Sequence, residues 1–163
     1  MSGPALTGLW FTGQKHFART LPRPLPMPED SPAFSAVKCW LTAYFAGKRP
    51  SPSELELAPD GSPFQLAVWR ALTGIPYGTV LSYGDVAQEA ARLLGHSTCS
   101  ARAAGVAIGR NPVSIVIPCH RVIGADGVLT GYAGGLERKA ALLEFEGADL
   151  CDPFRKKRVF SGK

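Results

Sequence analysis

The sequence predicts an α+β fold: a small N-terminal lobe of strand and helix, then a mostly helical lobe. Three observations predict it. Apolar residues recur at helical spacing in several separate segments, most of them opened by Ser or Ser-Pro. Short β-branched or aromatic runs stand between those segments. Two proline-rich stretches, at 21–30 and 47–61, interrupt the pattern, and the second reads as a linker. The expected division is 1–60 for the first lobe with its linker, 61–150 for the second, and 151–163 for a basic tail. At 163 residues and 45% hydrophobic, the chain can bury a core.

Residues 5–11 read as a strand, with Leu6, Leu9, Trp10 and Phe11 supplying its apolar content, and 12–14 as a turn. A helix follows the first proline-rich stretch. Ser31 caps it, Pro32 takes its first position, and Phe34, Val37, Trp40, Leu41, Tyr44 and Phe45 recur at its period until Gly47. Ser62-Pro63 opens the next helix, whose face is Phe64, Ala67, Val68, Ala71 and Leu72, and Gly74 stops it. After the turn Ile75-Pro76-Tyr77-Gly78, Ser82 caps a third helix with Asp85 in the capping-box position. Its buried face is Val86, Ala87, Ala90, Leu93 and Leu94, and Gly95 ends it. A fourth helix, 100–108, starts from Ser97 or Thr98 and is rich in Ala and Gly.

After Asn111-Pro112, the run Ile115-Val116-Ile117 reads as a buried strand that stops at Pro118. Asp126-Gly127 reads as a hairpin-type turn, and a last helix spans 136–146 and closes at Gly147. The third and fourth helices, joined around Gly95-His96, form a helix-turn-helix pattern. Its small residues suit either close approach to a duplex or tight packing on a neighbouring helix.

The formal charge is +5, from 18 Lys and Arg against 13 Asp and Glu. That favours a polyanionic partner without proving one, since much of the excess lies in Arg155-Lys156-Lys157-Arg158. Those four residues read as a solvated end, with a nuclear-localisation signal as the weaker alternative. Cys39, Cys99, Cys119 and Cys151 have no C-x-x-C spacing, and His16, His96 and His120 are scattered, so no zinc site is expected. Met1-Ser2-Gly3-Pro4 lacks the basic flank and apolar core of a signal peptide, and no run reaches membrane-spanning length. Free cysteines without a secretion signal predict the cytoplasm and no membrane partner.

The residues that carry chemistry lie in Pro118-Cys119-His120-Arg121-Val122. Cys119 stands just beyond the apolar run, where an imidazole and a guanidinium both favour the thiolate, which is the nucleophile. A thiol needs a base, and the base works better when a carboxylate fixes its tautomer. His120 is that base, reaching the thiol through water because sequence neighbours rarely face each other. Glu146, at the end of the last helix, is the carboxylate. A depressed Cys119 pKa is expected from the pair. The plain alternative is a packed thiol beside a hydrogen-bonded ring.

Pro118-Cys119-His120-Arg121-Val122 resembles the acceptor-cysteine motif of the O6-alkylguanine–DNA alkyltransferases. The resemblance takes in Ser62-Pro63-Phe64-Gln65, Ile75-Pro76-Tyr77-Gly78 and Ser82-Tyr83. It runs on through Gly109-Arg110-Asn111-Pro112-Val113, Gly131-Tyr132-Ala133-Gly134-Gly135 and Leu142-Leu143-Glu144-Phe145-Glu146-Gly147, so it covers 61–147 without a large gap. Several short motifs in order are far more specific than one. The resemblance implies a ribonuclease-H-like N-terminal lobe, a winged-helix or helix-turn-helix second lobe, and irreversible, single-turnover transfer of an alkyl group from O6-alkylguanine in duplex DNA to Cys119, with O4-alkylthymine as a further candidate substrate. It implies a monomer that needs no cofactor.

Residue by residue, it makes Cys119 the acceptor, His120 the base acting through water, Glu146 its orienting partner and Asn111 the brace of the active-site turn. Tyr83 becomes the hydroxyl donor to the departing guanine, and Arg102 the side chain that replaces the flipped nucleotide. Tyr132 and Ala133 become pocket wall and backbone donor, and the carbonyls of Cys119 and Val122 acceptors for the guanine amino group. The chain departs from the family in four places. The first lobe begins late, so its first strand is in doubt. Ile108 stands where many bacterial members have Asn, and Ser114 where some have Pro, which bears on the substrate- and DNA-binding surface. The tail beyond Gly147 matches nothing. Competing readings are a non-catalytic alkylguanine binder, which Cys119 argues against, an unrelated cysteine hydrolase, and a helix-turn-helix regulator that would leave Cys119, His120 and Glu146 unexplained.

Overall fold

The protein was examined as a computed structural model that describes residues 5–19 and 31–148. The proline-rich reading of 21–30, Cys151 and the basic tail lie outside the described residues. The fold is α+β, with five α-helices and a two-stranded sheet among the described residues.

Four of the five described α-helices begin where a serine side chain accepts an otherwise unpaired backbone N–H, and the helix ends are closed by backbone N–H groups. Ser31 Oγ accepts the Phe34 amide and opens α1 (Pro32–Phe45), which buries Val37, Trp40 and Tyr44. The segment 47–61 is packed down: Ser51 caps the 3-10 turn Pro52–Glu54, Leu55 is buried, and Leu57 bridges to Leu6. Reciprocal Ser62–Gln65 bonds open α2 (Pro63–Thr73). The expected Ser82–Asp85 capping box opens α3 (Tyr83–Leu94), and Gly95, at φ 71°, closes it in the left-handed region. Ser100 itself, rather than Ser97 or Thr98, caps α4 (Ala101–Gly109). Helix α5 (Leu136–Phe145) ends with Glu146 as its C-cap.

Strand β1 (Leu81–Ser82) pairs in parallel with β2 (Val122–Ile123), with Leu81 opposite Val122. This pairing sets the start of α3 beside the segment that carries Cys119. The expected N-terminal strand reduces to two single bridges, Leu6 to Leu57 and Leu9 to Val113. The Asp126-Gly127 turn is present: the Gly127 amide donates to the Gly124 carbonyl and the Gly124 amide to that of Val128.

One expectation is overturned. The apolar run Ile115-Val116-Ile117 is a buried turn, not a strand. The Val116 amide bonds the Ser114 carbonyl at 2.8 Å and the Ile117 amide the Val113 carbonyl at 3.0 Å. The Val116 and Ile117 amides are thus satisfied locally rather than by a partner strand. β-Branching and hydrophobicity reported burial here, and burial does not distinguish a strand from a packed turn.

A core built from α1, α2, α3, α4 and the 113–122 segment spans both expected lobes. Val68, Leu72, Val86 and Val116 have no exposed surface, and each such side chain contributes about 1.5–3 kcal/mol by burial. Among the described residues, no helix is long and apolar enough to cross a membrane.

Candidate active site

Asn111 builds the turn that presents the thiol. Its Oδ1 accepts the Val113 amide at 3.0 Å. Its Nδ2 donates to the Ile117 carbonyl at 2.8 Å and lies 3.0 Å from Cys119 Sγ and 3.3 Å from the Val113 carbonyl. The turn carries strain, since Ile115 sits at φ 68°, where a β-branched residue is an outlier. Cys119 then opens a 3-10 turn, Cys119–Arg121, and is 5% exposed.

Burial pushes the Cys119 thiol up, because a thiolate there loses its hydration; the Asn111 amide, the Lys139 ammonium and nearby backbone N–H groups oppose this. The expected depression by His120 and Glu146 is therefore not found. Arg121, expected to favour the thiolate, is turned to Glu146 instead. Its Nε donates to Glu146 Oε2 and its Nη2 to Oε1, both at 2.8 Å, and its Nη1 to the Ile75 carbonyl at 2.5 Å.

Glu146 is the hub of the buried network. His120 Nε2 lies 2.8 Å from Oε1, and neither side chain has exposed surface. Although burial works against its charge, the bonds from His120 and Arg121 hold the Glu146 carboxyl down to about 2, so it stays ionised. Burial, joined by the Arg121 and Lys139 charges, lowers the His120 pKa against the pull of Glu146, so the ring is neutral near pH 7. With Nε2–H given to an ionised carboxylate, the lone pair is on Nδ1, which has no bond to another described group. The ring is set up to accept a proton. Gly78 completes the hub: its amide donates to Oε2 at 3.2 Å, and a Cβ there would stand 2.8 Å from the Glu146 carbonyl, so only glycine fits.

Lys139 is fully buried, and its Nζ donates to the carbonyls of Val122 at 2.5 Å and Thr130 at 2.6 Å. Burial pulls its pKa down to about 8, while the Cys119 side chain pushes the other way. It fastens the 130–134 loop to the acceptor segment. Tyr83, half-buried, has its hydroxyl 3.0 Å from the Thr130 carbonyl and 3.2 Å from that of Gly131. Gly131 is required by contact as well as φ, since a Cβ would lie 3.0 Å from that hydroxyl. Tyr132 packs edge-on to Phe11, and its buried hydroxyl has no partner among the described residues. The Ala133 carbonyl accepts the Lys15 amide, and Ser114 Oγ donates to Gln14 Oε1 at 2.8 Å. The Cys119 carbonyl accepts the Val122 amide and the Val122 carbonyl accepts Lys139, each leaving one lone pair for another donor.

In the helix-turn-helix, the small residues of α4 divide between a buried face and an exposed end. Ala104, Ala107 and Ile108 pack inward, and Trp69 Nε1 donates to the Ala107 carbonyl at 2.9 Å. Ala101, Arg102 and Ala103 face solvent. A cation in the first turn of a helix opposes the helix dipole, so Arg102 is not there to stabilise α4. Ile108 is 3% exposed within the core, so its side chain belongs to packing rather than to a ligand-facing surface.

Cys119, His120, Glu146, Asn111, Tyr83, Tyr132 and Val122 thus converge, whereas Arg102 stands apart on an exposed helix end. Sequence reasoning missed Lys139 and Tyr44 and misassigned Arg121. Lys139 had a signal: it shares a face of α5 with Leu142, Leu143 and Glu146, at positions i, i+3, i+4 and i+7, where a cation must find buried acceptors. Among the described residues, no three His, Cys, Asp or Glu side chains gather as metal ligands.

The family model described as the 6-O-methylguanine DNA methyltransferase, DNA binding domain, matches residues 63–148. The methylated-DNA–protein-cysteine methyltransferase of Mycolicibacterium paratuberculosis is 46% identical over 143 residues, which is 88% of this chain and 81% of the relative. That of Methanosarcina acetivorans is 48% identical over 120 residues, 74% of this chain and 73% of the relative. A crystal structure of Mycobacterium tuberculosis OGT in complex with DNA superposes with a TM-score of 0.72 at 42% identity, covering 93% of this chain and 88% of the other.

Proposed function

The chain belongs to the 6-O-methylguanine DNA methyltransferase family, and from that premise we propose that it repairs alkylated DNA by direct reversal, moving the alkyl group of O6-alkylguanine onto its own Cys119. The observation that supports this most is the placement of a buried thiol 3.0 Å from the Asn111 amide, in a shell where a neutral His120 is fixed by an ionised Glu146.

The step is a single displacement. Sulfur attacks the O6-alkyl carbon, the C–O bond breaks, and its electron pair leaves on the guanine. The thiol proton passes to His120 Nδ1 through a bridging water. Glu146, too weak a base to take that proton onward, holds the resulting imidazolium. Keeping the thiol protonated at rest protects a residue that is used once, because the thioether product is not hydrolysed. Tyr83 donates to the departing guanine; to do so its hydroxyl leaves the Thr130 carbonyl. The free lone pairs of the Cys119 and Val122 carbonyls take the guanine amino group, Tyr132 and Ala133 line the pocket, and Ser114 holds its wall through Gln14.

The second unit, 61–150, binds duplex DNA through phosphates and the exposed end of α4, in the minor groove and without reading sequence. The damaged base is rotated out at a cost of a few kcal/mol, and Arg102 takes its place in the stack. The protein works as a cytoplasmic monomer without a cofactor.

The test is intact mass spectrometry after incubation with a duplex oligonucleotide containing O6-methylguanine, followed by peptide mapping. One methyl group per chain, on Cys119, is expected. Methyl on Cys39, Cys99 or Cys151, or several demethylated bases per chain, overturns the reading.

A further inference from the structure

Helix α1 lies outside the matched family segment, yet it reaches the proton-accepting pair. Tyr44 Oη donates to Glu146 Oε1 at 2.7 Å across 102 residues of sequence. The same oxygen receives His120 Nε2 and Arg121 Nη2, each at 2.8 Å. Tyr44 is 1% exposed and is clamped by stacking on Trp40 at 5.6 Å and by edge or tilted contacts with Phe45, Tyr77 and Phe145. The ring cannot turn its hydroxyl elsewhere without unpacking four aromatic neighbours.

A carboxylate oxygen has two lone pairs, so three donors on Oε1 divide its electron density. Each donor weakens the hold of that oxygen on the others. We propose that Tyr44 is a positioning residue for alkyl transfer: its hydroxyl fixes Glu146 Oε1 and limits how strongly that oxygen draws the His120 N–H. The inference rests on the alkyl-transfer reading, in which His120 must be neutral to accept the thiol proton.

The charged and titratable groups that face the pair are Arg121 beside it, Lys139 of α5, Cys119, Tyr132, and Tyr77 of the 75–78 turn with Arg49 over its ring. Tyr44 differs from them in placing a neutral donor on the very oxygen that His120 uses. Without that donor, Oε1 binds the imidazolium more tightly and His120 stays protonated to higher pH.

The experiment compares the wild-type protein with Tyr44→Phe, which keeps the ring and its packing. The titration of His120 is followed by NMR, and the rate of methyl transfer is measured against pH. Tyr44→Phe is expected to move the His120 titration upward by about half to one pH unit, and the acid limb of the rate profile with it. In a Glu146→Gln background the same substitution should add nothing. Needing no substitution, a second reading is the Tyr44 hydroxyl proton itself, expected downfield and slow to exchange in the wild-type protein. An unmoved His120 titration with transfer intact, or a rapidly exchanging Tyr44 hydroxyl, overturns this role. A fall in melting temperature with no shift in either profile reduces Tyr44 to packing and overturns it as well. If the wild-type protein transfers no methyl group to Cys119, the alkyl-transfer reading fails, and this role with it.

Discussion

Asn111 donates to the Cys119 sulfur at 3.0 Å and to the Ile117 carbonyl at 2.8 Å, so one side-chain amide both shapes the turn and touches the nucleophile. The shape of the turn and the state of the thiol therefore vary together. The Asn111 amide is also the largest influence opposing the rise that burial imposes on the thiol.

Asn111→Ala is expected to push the Cys119 titration further up and to slow transfer at neutral pH. It also strips the Val113 amide of its partner, an orphan costing about 1–3 kcal/mol, and leaves the Ile117 carbonyl to the Cys119 amide alone. Thermal melting and the pH dependence of thiol alkylation by a small reagent check both effects. A lower melting temperature with an unmoved thiol titration would show that the amide serves the turn alone.

Lys139→Met should also raise the Cys119 titration, because the ammonium favours the thiolate. Its own titration has a distinct signature. With a pKa of about 8 against 10.5 for an unburied lysine, the folded state releases this proton first as pH rises. Between those values the unfolded chain binds more protons, so Lys139 makes stability rise with pH and fall as pH drops through 8. Denaturant midpoints measured from pH 7.5 to 10.5 should rise more in the wild-type protein than in Lys139→Met. Parallel curves would refute the assignment.

For Glu146 the sign gives an acid window. Its pKa is about 2 in the fold against 4.5 for an unburied glutamate. The stability it supplies is present above about 4.5 and is lost as pH falls toward 2, on the order of a few kcal/mol. Glu146→Gln should flatten that loss and lower stability at pH 7 by about 3–5 kcal/mol, since it leaves buried Arg121 without its counter-charge. Transfer should slow, while affinity for undamaged duplex stays within about threefold. Urea titrations across pH 2.5–7 and a binding isotherm test this; an unchanged acid slope would sink it.

Arg102→Ala separates distortion of DNA from binding to it. If Arg102 fills the space left by the flipped guanine, the variant slows repair of O6-methylguanine in duplex DNA but not of the free base, which needs no flipping. A phosphate contact would instead weaken binding to all DNA and reduce its salt dependence. Transfer rates on both substrates at saturating protein discriminate. Equal losses on the two would place Arg102 in the pocket or the fold, and no loss on either would make it an ordinary surface cation.

The sequence by itself determined where α1, α2 and α3 start, because the caps Ser31, Ser62 and Ser82 act over three or four residues. It also singled out Cys119, His120 and Glu146, because family-like motifs stand contiguously around them, and the fold pairs His120 with Glu146. Tertiary structure decided the rest. Whether Ile115-Val116-Ile117 is strand or turn depended on local bonds: the Ser114 and Val113 carbonyls take the Val116 and Ile117 amides, and Asn111 donates to the Ile117 carbonyl. The direction of the Cys119 shift depended on burial, which no local motif encodes. Arg121 stood next to His120 in sequence and so looked like a thiolate activator, but its side chain is turned to Glu146 and Ile75. Tyr44 read as one more apolar position of an amphipathic helix, since a ring buries equally well with or without its hydroxyl. Only the packing of α1 against Glu146 gives that hydroxyl a partner, because an interaction across 102 residues leaves no periodicity to read.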